Sequence, residues 1–592
     1  MKKIIIFFLG LCCIIAACTE TSEGFLDSKG KETDDLQSVF EDSVKVMGFH
    51  AALFWQVGRV TMSPHGVPST LTNYKDYEAG TDNSRYSGYF RVTEFTPAYT
   101  KGDFSQGGTN ANFTDFRTGW QEAWQTIYRC NSFLENYKRA PLTDATKEKL
   151  AYEARFIRSF FLFHLLRQYG AVPLVYDEVI DPFEPLLLDR STFEDCVNYI
   201  AQELRTVAEA LPLEQGGADY GRPTKASALG VLTELYALAA SPLYNGGNIG
   251  SGDNRLLVGY DDYDVNRWQN VVIAAKELMD LGTHELVIDN KTRPGNGFYL
   301  ATTKRVNSER VWFWVTVNTT CYPASALLPK SRSGGRQIQP YHELVEAFPM
   351  KDGTPINKSG DEYKTNPYAN RDPRLGYTII YNESEWVKTV GAKAEKVYTY
   401  KDASQDGYGV SNGTETGYYF RKCCNEEKLG SGSTSYDEGV GLSFIRYADI
   451  MLLYAEALTE LNLDRNRAEI EKQLFEIRAR AGIDAGDNKR YGVPANMNKD
   501  AMITFIINER RIEFANECGN RFWDLKRRKL YENLNGVWTS AAVWERNTND
   551  GSYTWTIMPI EQHFFSQKMY FSAIPQREIN ASHGKLIQNP GW

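Results

Sequence analysis

Histidine and cysteine are scarce in this chain, at seven and nine among 592 residues. His50, His65, His164, His284, His342, His563 and His583 stand apart, with no HExxH or HxH group. No CxxC spacing suggests zinc, and the cysteines are too few for a disulfide framework in so long a chain. Cys423 and Cys424 are adjacent, which suits them poorly to pairing with each other. Most cysteines read as small buried hydrophobes. The nucleotide fingerprints GxGxxG and GxxxxGKS/T are missing. So is any basic excess: the formal net charge is −9. That argues against nucleic acid, whose binders carry a basic footprint, and against electrostatic attachment to anionic lipid. The apolar run at the start, Ile4 to Ile15, has about 12 residues, and crossing a bilayer takes roughly 20.

That run fits export. Lys2 and Lys3 precede it, and Ile15-Ala16-Ala17-Cys18 closes it. Positive start, apolar middle and small residues before the cut are the parts of a secretory signal. A cysteine directly after Ala16-Ala17 resembles the bacterial lipobox, in which cleavage leaves Cys18 as the first residue, carrying lipid. Residues 1–17 are then a signal peptide, and 18–35 a lipidated polar tether. Durable anchoring takes two or more acyl chains.

Residues 36–592 read as one composite domain. Helical periodicity runs from Leu36 to Gln56 and from Phe116 to Ala140, where Trp120, Trp124, Ile127 and Tyr128 recur at three- and four-residue steps. From Glu153 to Tyr169, Ile157, Phe161, Leu165 and Tyr169 form one stripe; Gly170 supplies a left-handed stop and Pro173 bars continuation. Further helices are expected over Thr192–Leu211, Thr224–Ala240, Trp268–Leu281, Arg446–Leu461, Arg467–Ala481, Ala501–Glu517 and Phe522–Asn533. Residues 57–115 and 283–440 are loop-rich with short strands, including Val311 to Val317. Paired helices of this length suggest a tetratricopeptide-like stack.

Several stretches carry a family likeness. They are Glu153-Ala154-Arg155-Phe156 running to Gly170-Ala171-Val172-Pro173, Arg222-Pro223-Thr224-Lys225, and Ile445-Arg446-Tyr447-Ala448-Asp449. Asn508-Glu509-Arg510-Arg511-Ile512-Glu513, Arg521-Phe522-Trp523-Asp524 and the closing Gln588-Asn589-Pro590-Gly591-Trp592 complete them. In order and span the chain resembles the SusD/RagB lipoproteins of Gram-negative glycan and peptide uptake. The resemblance implies a mainly α fold: about four tetratricopeptide-like helix pairs (36–56, 116–282 and 445–535) plus an irregular ligand-bearing part (57–115 and 283–440). It also implies an outer-membrane, cell-surface position, with Glu20 looking like the acidic export tag. The implied partner is a TonB-dependent, SusC-like barrel over which the lipoprotein sits as a hinged lid.

Arg510 and Glu513, three apart, and Glu517 and Arg521, four apart, have the spacing of helix-surface pairs. In the family such residues look like ties between the C-terminal helices and their neighbours. Nothing in their spacing gives the paired carboxylates of a hydrolase, so no enzyme is expected. The run Asp261-Asp262-Tyr263-Asp264 has the oxygen ligands calcium favours without the EF-hand spacing. It reads better as a solvated helix start, and no cofactor is expected.

The aromatic loops are the place for a ligand. A sugar ring offers a C–H face to a flat aromatic and hydroxyls to polar groups, and aromatics bring contact area with little entropy to lose. Loops held on a rigid frame are where binding sites sit. The candidates are Asp82, Arg85, Tyr86, Tyr89, Tyr99, Phe104 and Asn110 in the early loops, and Tyr299, Trp314 and Tyr322 in the middle region. Alternation places Trp312 and Trp314 on one strand face and Phe313 on the other. By resemblance, Gly80-Thr81-Asp82-Asn83 matches the family's early-loop Asp segment. The leading expectation is a non-catalytic oligosaccharide binder. The alternatives are a RagB-like peptide binder, a lipid-anchored glycoside hydrolase and a purely structural surface protein.

Overall fold

Long amphipathic runs with hydroxyl caps build a helical frame in this chain, seen in a computed structural model. The structure describes residues 36–61, 74–87, 100, 117–181, 184–247, 249–315, 327–388, 392–427 and 441–592. The frame consists of α1 (Ser43–Thr61), α2 (Arg117–Asn136), α3 (Asp144–Tyr169), α4 (Phe193–Ala210), α5 (Lys225–Ala240), α6 (Arg267–Asp280), α7 (Tyr447–Arg480) and α8 (Lys499–Glu513). Each helix packs on its successor, α1 on α2 through to α7 on α8. The mainly α class and the stacked helix pairs expected from the sequence hold. The signal peptide, tether and Cys18 lie outside the described residues, and no described helix is long and apolar enough to cross a membrane.

Local chemistry sets most helix ends. Thr192 with Asp195 and Thr224 with Ser227 form capping boxes that open α4 and α5. Thr143 caps α3, which begins at Asp144 rather than at Glu153. Gly170 ends it at φ +74°, where an added Cβ would lie 2.6 Å from the Leu257 carbonyl oxygen. The two helices expected over 446–481 form one element broken at Asn462, whose φ of −168° and ψ of 98° are not helical. Helix α8 stops at Glu513, short of the expected Glu517.

The described strands form two-stranded antiparallel ribbons. β1 (Ser84–Tyr86) pairs with β3 (Ile338–Pro340), and β2 (Arg310–Trp314) with β4 (Leu442–Arg446). The longest ribbon, β5 (Trp538–Arg546) with β6 (Tyr553–Gln562), has no counterpart among the expected elements. Its signals are nevertheless in the chain, as β-favouring residues on both arms and an Asp550-Gly551 turn.

Charge inside the C-terminal half corrects another expectation. Arg510 and Glu513 do not pair on a helix surface. Arg510 bonds Asp449 at 2.5 Å and Asp524 at 2.8 Å, while Glu513 receives Arg446 at 3.0 Å, Arg480 at 2.5 Å and Arg374 at 3.1 Å. Glu517 takes Arg446 and Lys422 at 2.7 and 2.6 Å, and Glu309 takes Arg446 and Arg480. All these side chains are buried. Burial raises the Glu513 pKa, but Arg480, Arg446 and Arg374 outweigh it and hold the carboxyl below its usual range. The charged face of α8 thus turns inward, where several segments supply partners.

Candidate functional site

The segment Gly80-Thr81-Asp82-Asn83 enters β1 as a stapled turn. Thr81 Oγ1 donates to the Glu78 carbonyl, and Asn83 Nδ2 donates to Glu78 Oε1 at 2.9 Å. Asp82 faces inward. Its carboxylate oxygens accept from Arg521 Nε and Nη2, each at 2.8 Å, and Arg511 lies 3.2 Å away. Arg511 also donates to the Asp82 carbonyl and to Asn83 Oδ1. Burial pushes the Asp82 carboxyl pKa up, and Arg511 and Arg521 more than reverse it, leaving it well below the usual carboxylate range. The expected ligand contact at Asp82 is therefore corrected: the residue pins the early loop onto the C-terminal helices, and both oxygens are occupied.

Three residues on, Arg85 reaches a partly open surface. Its guanidinium lies 3.4 Å from Glu415 and 4.0 Å from Glu561, with 23% of the side chain exposed. Arg85 sits opposite Gln339 in the β1–β3 ribbon, and Gln339 Oε1 accepts the Glu415 backbone N–H at 2.7 Å. Tyr341, at the end of β3, donates its hydroxyl to Glu561 on β6. Thr100 ties the next piece in: its hydroxyl lies 3.5 Å from Glu561, and its carbonyl accepts the Phe564 N–H at 2.7 Å. The hairpin that carries Glu561, with its exit, exposes Trp538, Ile557, Met558 and Phe564. Tyr86 is half-buried next to Arg85. The exposed rings of Trp538 and Phe564 were not among the expected candidates.

The middle-region candidates lie elsewhere. Trp314 is buried, its Nε1 donating to the Phe54 carbonyl at 3.1 Å. Trp55 meets it edge-on at 6.5 Å and is itself 56% exposed, so the accessible ring there is Trp55. Trp312 and Trp314 are both buried and Phe313 is half-buried, but Val311 is buried as well and the pairing register shifts between Trp312 and Phe313, so the strand does not follow plain alternation. Tyr299 is a packing residue in place of an expected contact. It stacks on Tyr377 at 5.8 Å, donates to Asn425 Oδ1 and accepts the Glu426 N–H. Tyr89, Tyr99, Phe104, Asn110 and Tyr322 lie outside the described residues.

The acidic run is engaged within the chain. Asp262 pairs with Arg267 at 2.7 Å, Asp261 pairs with Arg255, and Asp264 Oδ1 accepts from Asn266. Among the described residues no group of three or more His, Cys, Asp or Glu is placed to hold a metal ion.

A family model described as "SusD family" matches residues 295–592, and one described as "Starch-binding associating with outer membrane" matches residues 68–237. The chain is 23% identical to SusD-like protein P2 of Formosa agariphila, over the full length of both. Among solved structures it is similar to a SusD-like protein of Bacteroides fragilis, at 21% identity and a TM-score of 0.74, covering 94% of this chain and 99% of that one. A SusD-like carbohydrate binding protein of the same species matches with a TM-score of 0.69 at 20% identity, covering 92% and 99%.

Proposed function

The chain belongs to the SusD family, and from that premise we propose that it is a non-catalytic glycan-binding lipoprotein of the outer membrane. The observation that carries this reading is the rim around Arg85. The Arg85 guanidinium faces two carboxylates, Glu415 and Glu561, at a partly open surface, and the hairpin that carries Glu561 exposes Trp538, with Phe564 exposed at its exit. Flat rings take the C–H face of a sugar and the charged groups take its hydroxyls. Cys18, acylated, would tether the protein, and a TonB-dependent, SusC-like barrel would receive the oligosaccharide.

Affinity electrophoresis of the wild type against a polysaccharide panel tests the reading. Retention by at least one glycan, weakened roughly tenfold in Arg85→Ala and less in Trp538→Ala, is the expected result. No retention by any glycan, or release of reducing ends on incubation, would overturn it. A second reading, a peptide cargo, is favoured by the outer edge of β6, which pairs with no other strand among the described residues; strand addition to such an edge is a recurring way to bind peptide. Pro559 and the irregular register between Pro559 and Glu561 interrupt that edge and weigh against it.

A further inference from the structure

We infer that the protein has a second ligand cleft, separate from the Arg85 rim, that takes a neutral, hydroxyl-rich ligand such as an oligosaccharide. The cleft lies between the turn Met350–Asn357 and the segment from Gly360 to Arg371, and holds about 470 Å3. That is within the roughly 300–1,000 Å3 of small-molecule sites.

The lining chemistry selects the ligand. Three carboxamides, Asn357, Asn366 and Asn370, face the cleft with Asp352 and Glu362. Each carboxamide uses one end within the protein. Asn357 Oδ1 accepts from Ser359 Oγ, Asn366 Oδ1 accepts the Tyr368 N–H, and Asn370 Nδ2 donates to Glu362 at 2.7 Å. The other ends, two amide nitrogens and one amide oxygen, have no protein partner among the described residues. The cleft therefore offers both donors and an acceptor. A hydroxyl donates and accepts at once, whereas an anion only accepts and a cation only donates. Asp484 at the margin is matched by Lys351 at 3.3 Å, and the acids form no metal-binding group. Ile356 and Pro367 supply apolar surface for a ring face.

The walls are held from below. Arg371 donates to the carbonyls of Val345, Phe348, Pro349 and Pro367. Arg478, part of the buried charge network through Glu509, donates to the carbonyls of Gly353 and Tyr491. Gly353, at φ +80°, has no room for a Cβ, which would lie 2.6 Å from the Tyr491 oxygen. Walls fixed in this way lower the ordering cost of binding. His342 connects the two sites, since it follows Tyr341 of the rim and lies 3.3 Å from the Tyr363 hydroxyl at the cleft.

The class of ligand rests on the glycan reading above, and the test separates the two. Hydrogen exchange of the full-length protein in detergent is followed with maltohexaose, cellohexaose, xylohexaose and mannohexaose at millimolar concentration. Several-fold slower exchange over residues 350–371, kept in Arg85→Ala and lost in Asn357→Ala/Asn370→Gly, is the expected result. Glycine suits position 370, where φ is +53°. Slowing confined to residues 84–87 and 538–564 would overturn the second cleft and leave the glycan reading standing. Slowing over 350–371 alone would support the cleft and overturn the rim, and slowing nowhere would overturn both.

Discussion

Arginine meets carboxylate at two depths in this molecule. In the C-terminal frame Arg446 is 2% exposed and its guanidinium bonds Glu309, Glu513 and Glu517 at 2.6 to 3.0 Å. At the rim Arg85 keeps 23% of its side chain open and stands 3.4 and 4.0 Å from its carboxylates. The same pair of residue types therefore does two jobs. Buried and saturated, it fixes segments to one another, and removing one member strands the other in a low-dielectric interior. Half-open and loosely met, it contributes little to stability and retains hydrogen-bonding capacity for something outside.

The largest blow to this contrast falls on the frame. Glu513→Ala removes one acceptor shared by Arg446, Arg480 and Arg374, and breaking such a buried pair costs about 3–5 kcal/mol. The expected outcome is a large drop in the urea midpoint or no soluble protein. A midpoint equal to wild type would mean that depth does not distinguish the two regions.

Asp82→Ala comes next. It leaves Arg511 and Arg521 without their carboxylate and should destabilise by a similar order, about 3 kcal/mol, before ligand is considered. The pH dependence checks the assignment. The folded Asp82 pKa is depressed, so its contribution is in full force above the unfolded value of about 3.9. It is lost as pH falls through the folded value. The stability gap between wild type and Asp82→Asn should stay constant from pH 7 down to about 4 and close below that. A gap that narrows near neutrality would point to another group.

At the rim the effects reverse. Arg85→Ala should move stability by no more than about 1 kcal/mol, yet weaken glycan retention roughly tenfold, as expected for loss of a charge-assisted hydrogen bond of about 1.5 kcal/mol. Comparing melting with retention on the same preparation checks this. Equal loss of both would place Arg85 in the frame.

How much of this was legible follows the range of the interactions. Capping at Thr192 and Thr224 and the stop at Gly170 are local, and the sequence shows them directly. The partners of Asp82 are 429 and 439 residues away, so nothing near position 82 distinguishes an inward carboxylate from an outward one. Arg510 and Glu513 have surface spacing, but an interior with guanidinium groups from Arg374, Arg446 and Arg480 claims Glu513. The exposed ring of Trp538 depends on a hairpin whose alternation and Asp550-Gly551 turn are readable, though no family motif marks it. Trp314 was expected to face ligand, and a helix far earlier in the chain covers it with Trp55.

The smallest effect gives the finest test, because Tyr299 looks like a site aromatic and is built like a frame residue. Burial raises its hydroxyl pKa to about 12, so the group is neutral at physiological pH and acts by hydrogen bonding. It donates to Asn425 and accepts from Glu426, while Arg293 lies 5.0 Å over the ring and Tyr377 stacks against it. Tyr299→Phe keeps the ring, the stack and the cation contact and deletes only the hydroxyl. The expected loss is about 1 kcal/mol of stability for the hydrogen bonds, with glycan retention unchanged. The comparison with Arg85→Ala is then complete: one substitution moves the melt and spares the ligand, the other does the opposite. Retention that falls in Tyr299→Phe while the melt stays put would return Tyr299 to the binding surface and break the division between frame and rim.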